Sequence, residues 1–168
     1  MIQKTINLYT LAELSKEAQK RAHSDYIATL DYPFLSEYMT EYLKELFETS
    51  SIKCDDPKIH YSLSYCQGDG AMFEGECLYN EKYKVVVKHS GYYHHERSTS
   101  IYVYDLDGEE VDEWQKVEKE FEEEYITICQ NIASYGYGCI EEDDEFDRFV
   151  EHCEANDYTF TSEGVMEN

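Results

Sequence analysis

The sequence predicts an α+β fold, an antiparallel β-meander of about four to five strands with amphipathic helices packed on one face. Three observations carry this. Two helical stripes precede residue 50, four β-rich runs of period two lie between Ile59 and Asp105, and a long stripe at spacings of three and four begins at Trp114.

Taken in order, Ile2 to Tyr9 alternates and reads as a strand ending at Thr10. Thr10 and Glu13 fit a capping box, and Leu11, Leu14, Ala18 and Ala22 continue at helical spacing to about Ile27. Tyr32-Pro33 interrupts, because a residue before proline avoids the helical region. Leu35, Met39, Tyr42 and Leu46 form the second stripe, which stops at Thr49-Ser50-Ser51. Ile59 to Cys66, Ala71 to Leu78, Tyr83 to His89 and Ser98 to Asp105 read as strands. Gln67-Gly68-Asp69-Gly70 has the residues of a tight hairpin turn, with Gly70 expected at positive φ.

After the turn at Asp107-Gly108, Trp114, Val117, Phe121, Tyr125, Ile128 and Ile132 define the longest helix, with Trp114 on its inward stripe. Ser134-Tyr-Gly-Tyr-Gly-Cys139 is expected to break it, Gly136 and Gly138 acting as a C-cap. Phe146, Phe149, Val150 and Cys153 mark a shorter acidic helix, and Tyr158 to Thr161 a last strand.

With 168 residues, 42% hydrophobic and 15% aromatic, the chain is expected to fold as a single domain, 1–168. Its net charge is −23, which excludes unassisted adhesion to nucleic acid or to an anionic membrane and points to a basic partner. The charge is unevenly placed: residues 1–104 are mixed, at net −4, whereas residues 105–168 hold 22 acids and 3 bases. No secretory leader and no long apolar span is read, so the expected location is the cytoplasm of a bacterial host, with six reduced cysteines.

Motifs of catalysis are missing: there is no G-x-S-x-G and no phosphate-binding G-x-x-x-x-G-K-[ST]. The chain is therefore expected not to be an enzyme and to carry no cofactor. No metal site is expected either. Asp105, Asp107, Glu109 and Glu110 surround Gly108 without the spacing of a calcium loop, and His94-His95, His152-Cys153, Cys66 and Cys77 lack that of a zinc site.

The distinctive motif is Ser64-Tyr-Cys-Gln-Gly-Asp-Gly-Ala-Met-Phe-Glu-Gly75, preceded by Tyr9-Thr-Leu-Ala-Glu-Leu-Ser-Lys-Glu-Ala18. Together these segments resemble a widespread family of small phage and bacterial proteins, mostly uncharacterised and sometimes labelled antitoxin-like, with Cys66 where that family has serine. The resemblance covers the first half of the chain and implies a fold, not a reaction. On the residues themselves, the loop is first a turn, and Gln67 and Asp69 are a secondary candidate for ligand contact from a rigid loop.

The primary candidate is the acidic part. Glu109, Glu110, Asp112, Glu113, Glu118, Glu120, Glu122, Glu123 and Glu124 share sixteen residues with two lysines, which as a helix would span about 24 Å and approach the charge density of one DNA strand. Glu141, Glu142, Asp143, Asp144, Glu145 and Asp147 make a second row. Like charges at i, i+4, as in Glu118–Glu122 and Glu120–Glu124, destabilise a helix, which argues for use beyond solubility. The acidic balance is similar to that of DNA-mimic anti-CRISPR and anti-restriction proteins. The expected function is therefore a phage or prophage inhibitor that blocks the basic nucleic-acid channel of a host defence complex, a CRISPR–Cas effector first and a restriction enzyme next. The alternative is an antitoxin-like protein that neutralises a basic toxin.

Overall fold

The computed structural model describes residues 7–167. A 3-10 turn, Leu11–Glu13, leads into helices α1 (Lys16–Ile27) and α2 (Leu35–Thr49). Strands β1 (Ile52–Cys54), β2 (Lys58–Ser62), β3 (Gly70–Tyr79), β4 (Tyr83–His89) and β5 (Thr99–Tyr104) follow. Helices α3 (Trp114–Asp143) and α4 (Phe146–Ala155) and the short strands β6 (Thr159–Phe160) and β7 (Met166–Glu167) complete the chain. The fold is α+β with an antiparallel sheet, as expected. No described helix is long and apolar enough to cross a membrane.

The chain divides into two compact units, one of residues 33–138 and one of residues 1–32 with 139–168. The chain passes from one unit to the other at Tyr32–Pro33 and again inside α3, at Gly138–Cys139.

The larger unit contains the sheet, in which β2, β3, β4 and β5 pair in succession as an antiparallel meander. β1, which the sequence reading missed, pairs with the far end of β3, placing Cys54 opposite Cys77. β2 pairs with the near end of the same strand, Lys58 opposite Glu74 and Ser62 opposite Gly70. The apolar stripe of α2 is Leu35, Met39, Leu43 and Phe47, so Tyr42 and Leu46 sit beside it, only half-buried. Phe47 meets the Phe73 ring edge-on, and Phe73 also packs on Tyr125 of α3. Tyr125 does more than fill space. Its hydroxyl donates to the Phe73 carbonyl at 2.7 Å and accepts from the Phe73 amide at 3.2 Å, pairing both backbone groups of a fully buried strand residue.

Helix α3 corrects two expectations. It does not stop at Ser134 but continues through Gly136 and Gly138 to Asp143. A β-carbon at Gly136 would lie 2.5 Å from Leu63 Cδ1 and 3.0 Å from Met39 Sδ, so this glycine serves close packing and not a cap. Trp114 is 46% exposed, off the inward stripe, which begins at Val117.

In the smaller unit, Leu11, Leu14, Ala18, Ala22, Phe149, Cys153 and Phe160 form the core. Thr10 caps the 3-10 turn, not the helix: its amide and hydroxyl both donate to Glu13, at 2.8 and 2.9 Å. Helix α1 starts later, capped by Ser15, whose hydroxyl accepts from the Ala18 amide. The expected strand from Ile2 lies mostly outside the described residues, and Tyr9 forms an isolated antiparallel bridge with Phe160.

Candidate functional site

The loop from Leu63 to Asp69 joins β2 to β3 and is longer than the tight turn expected from Gln67-Gly68-Asp69-Gly70. Gly70 has the positive φ expected of it, 156°, but as the first residue of β3, and the loop itself places Tyr65 and Gly68 at φ 57° and 91°. Asp69 organises this loop. Its Oδ1 accepts from the Ser62 hydroxyl at 2.8 Å, and its Oδ2 from the amides of Ser64 and Cys66 and from the Tyr137 hydroxyl, at 2.6, 2.8 and 3.1 Å. The Cys66 amide first, with the other donors, holds the carboxyl below its ordinary range. Of the two loop candidates, then, Asp69 is committed internally and Gln67 is exposed.

Two of the motif's three glycines, Gly68 and Gly70, accommodate the connection between β4 and β5. A β-carbon on Gly68 would lie 2.5 Å from Tyr93 Cδ1, and one on Gly70 would lie 2.8 Å from His95 Cβ and 3.0 Å from His95 Cα. That connection is closed on itself, the Ser90 amide donating to the Ser98 carbonyl at 2.8 Å and the Ser98 amide to the His95 carbonyl at 2.9 Å.

The first acidic row lies in the larger unit and is not one helix. Because α3 starts at Trp114, Glu109, Glu110, Asp112 and Glu113 precede it, and Glu110 bridges to Tyr104. The helical part holds five of the nine acids and both lysines, so its net charge falls to about one per 5.5 Å, below the density of a DNA strand. Glu109, Glu110, Asp112, Glu113, Glu120, Glu122 and Glu123 are exposed and Glu118 is half-buried. Glu124 turns inward: its Oε1 accepts from the Ser50 hydroxyl at 2.8 Å and the Ser51 amide at 2.7 Å, fastening the segment between α2 and β1. Among the described residues, Glu120 alone of these nine has an ion pair, with Lys116 at 3.9 Å.

The second row belongs to the smaller unit. Glu141, Glu142 and Asp143 end α3, and Asp144 and Glu145 lead into α4, which carries Asp147. Asp144 is half-buried, accepting from the Tyr32 hydroxyl at Oδ1 (2.6 Å) and facing His23 Nε2 with its carbonyl (2.8 Å). Arg148 pairs with Glu142 at 2.5 Å and Glu151 at 3.4 Å, reducing the field of this row.

The structure also assembles a group that spacing did not reveal. His60, His89 and His94 each bring a ring nitrogen within 4.8 Å of the other two. Glu74 stands beside them, Oε1 at 3.0 Å from His60 Nε2 and Oε2 accepting from the His89 amide at 3.1 Å. In the sequence His94 stands beside His95, whereas its companions in the fold are 34 and 5 residues away, on β2 and at the end of β4. Strand pairing, which spacing does not encode, makes the cluster.

No protein-family model matches the chain, and none of the curated proteins or solved structures compared with it matches either.

Proposed function

We propose that this chain is a phage-type inhibitor that binds proteins, using its exposed Glu109–Glu123 face to occupy the basic nucleic-acid groove of a host defence complex, a CRISPR–Cas effector or, next, a restriction enzyme. The observation that carries this reading is Trp114, about half-exposed at the start of α3 and set within the acidic row. Protein interfaces concentrate binding energy in tryptophan surrounded by polar groups, and Trp114 offers that arrangement. The acids supply the long-range attraction to a basic groove, and the indole supplies an apolar anchor. Among the described residues the row is neutralised by one long lysine contact, and the resemblance to phage proteins points the same way.

Expression of the chain in cells that restrict a phage should raise that phage's plating efficiency. Glu122→Lys with Glu123→Lys should remove at least about tenfold of this protection, since each reversal turns steering into repulsion. Protection that is absent in every CRISPR–Cas and restriction host tested, or unchanged in the reversed variant, would overturn the reading.

A further inference from the structure

Three histidines from separate segments of the larger unit meet at one place: His60 on β2, His89 at the end of β4 and His94 in the connection that follows. Their ring centroids lie 4.9 Å (His60–His89), 5.0 Å (His89–His94) and 5.8 Å (His60–His94) apart. All three are half-buried, so each ring is held by its surroundings while the cluster stays within reach of solvent.

The hydrogen bonds select the tautomer that two of the rings adopt when neutral. His60 Nε2 faces an ionised carboxylate oxygen of Glu74, which only accepts, so the neutral ring carries its proton on Nε2 and keeps a lone pair on Nδ1. His89 Nε2 faces the Tyr93 carbonyl at 2.9 Å, which again only accepts and leaves Nδ1 with a lone pair. His94 Nδ1 is buried and has no hydrogen-bond partner among the described residues. A buried ring nitrogen without a partner is costly unless something else occupies that direction. Holding one nitrogen of an imidazole on a carboxylate or carbonyl, so that the other is presented, is how proteins orient metal-binding histidines.

We propose that His60, His89 and His94 form a binding site for a divalent cation of the zinc class, with Glu74 as the positioning residue that holds His60 through its side chain and His89 through its backbone amide. An all-imidazole set favours zinc and its transition-metal neighbours over magnesium or calcium, which take oxygen ligands. Zinc–nitrogen bonds place tetrahedral ligand nitrogens roughly 3.4 Å apart, so the rings close by no more than about 1.4 Å, a movement within side-chain rotation. Three protein ligands leave a fourth position for water or for a group of a partner.

The site also gives the Gln67–Gly70 motif a purpose beyond turning the chain. Gly68 and Gly70 lie where Tyr93 and His95, the two neighbours of His94, come against the loop, and a β-carbon at either glycine would displace that segment. The motif thus seats the histidine that lacks a partner.

The test uses the full chain, freed of metal by chelator and titrated with Zn²⁺ and with Co²⁺ as a spectroscopic probe. One equivalent should bind and raise the melting temperature, and the cobalt complex should show no thiolate charge-transfer band. His94→Ala and His89→Gln should each weaken binding at least about 100-fold, and Glu74→Gln by roughly 10- to 100-fold, as loss of an outer-shell partner does. Metal-free His94→Ala and His89→Gln should keep the parent's circular dichroism spectrum, so that lost binding is not lost folding. His152→Ala and Cys66→Ser should bind as the parent does. Absence of one-to-one binding, binding that survives both His94→Ala and His89→Gln, or binding abolished by Cys66→Ser would overturn the proposal.

Discussion

Glu74 joins two histidines that are 29 residues apart: one carboxylate oxygen faces His60 Nε2 at 3.0 Å, and the other takes the His89 amide at 3.1 Å. Lys58 adds an ion pair at 3.3 Å. The His60 contact first, then the His89 amide, pulls the Glu74 carboxyl from 4.5 down to about 2. The unfolded chain therefore binds the proton first as pH falls. The stability this carboxylate contributes is complete above about pH 4.5 and is lost as pH falls through 2. Urea midpoints measured from pH 6 to pH 2 should fall less steeply in Glu74→Gln than in the parent, and equal slopes would contradict this.

Tyr125→Phe leaves the Phe73 amide and carbonyl without their shared partner in a fully buried place. The expected cost is about 1–3 kcal/mol, read as a lower urea midpoint with an unchanged slope. Trp114→Ala, often a severe change, should cost under about 1 kcal/mol here, because the ring is 46% exposed. A loss of binding to the basic partner at nearly unchanged stability is the expected signature of that substitution.

The two glycines in the last third of α3, Gly136 and Gly138, should behave differently. Gly138 has open space where a β-carbon would go, so Gly138→Ala should stabilise by about 0.5–1 kcal/mol through helix propensity. At Gly136 the same β-carbon meets Leu63 and Met39 side chains, the latter fully buried, and repacking consumes the gain. Thermal melts of the two variants should rank Gly138→Ala above Gly136→Ala, and the reverse order would refute the packing role.

These glycines also show where the sequence was legible and where it was not. Regular side-chain periods are visible in one dimension, so β4 at Tyr83–His89 and the stripe from Val117 to Ile132 stand where expected. Gly136 reads as a stop because its missing side chain is seen and the Leu63 contact it permits is not. β1, with three residues, is too short to show a period and exists because β3 offers it an edge. The acids could be placed at the surface from charge alone, but Glu124 departs because two donors, Ser50 and Ser51, await it. The histidine cluster was invisible for the opposite reason, being made entirely by strand pairing and loop return.

The acidic face is tested most directly by competition with DNA on purified targets. Labelled duplex or guide-paired DNA is bound to a panel of CRISPR–Cas effectors and restriction endonucleases at low and moderate salt, and this chain is added. Displacement from at least one target should weaken as salt rises, because steering by exposed charge is screened. Glu122→Lys with Glu123→Lys should lose the displacement at equal melting temperature, as should Trp114→Ala. No displacement from any target, or displacement equally strong in the charge-reversed chain, would contradict the role assigned to Glu109–Glu123.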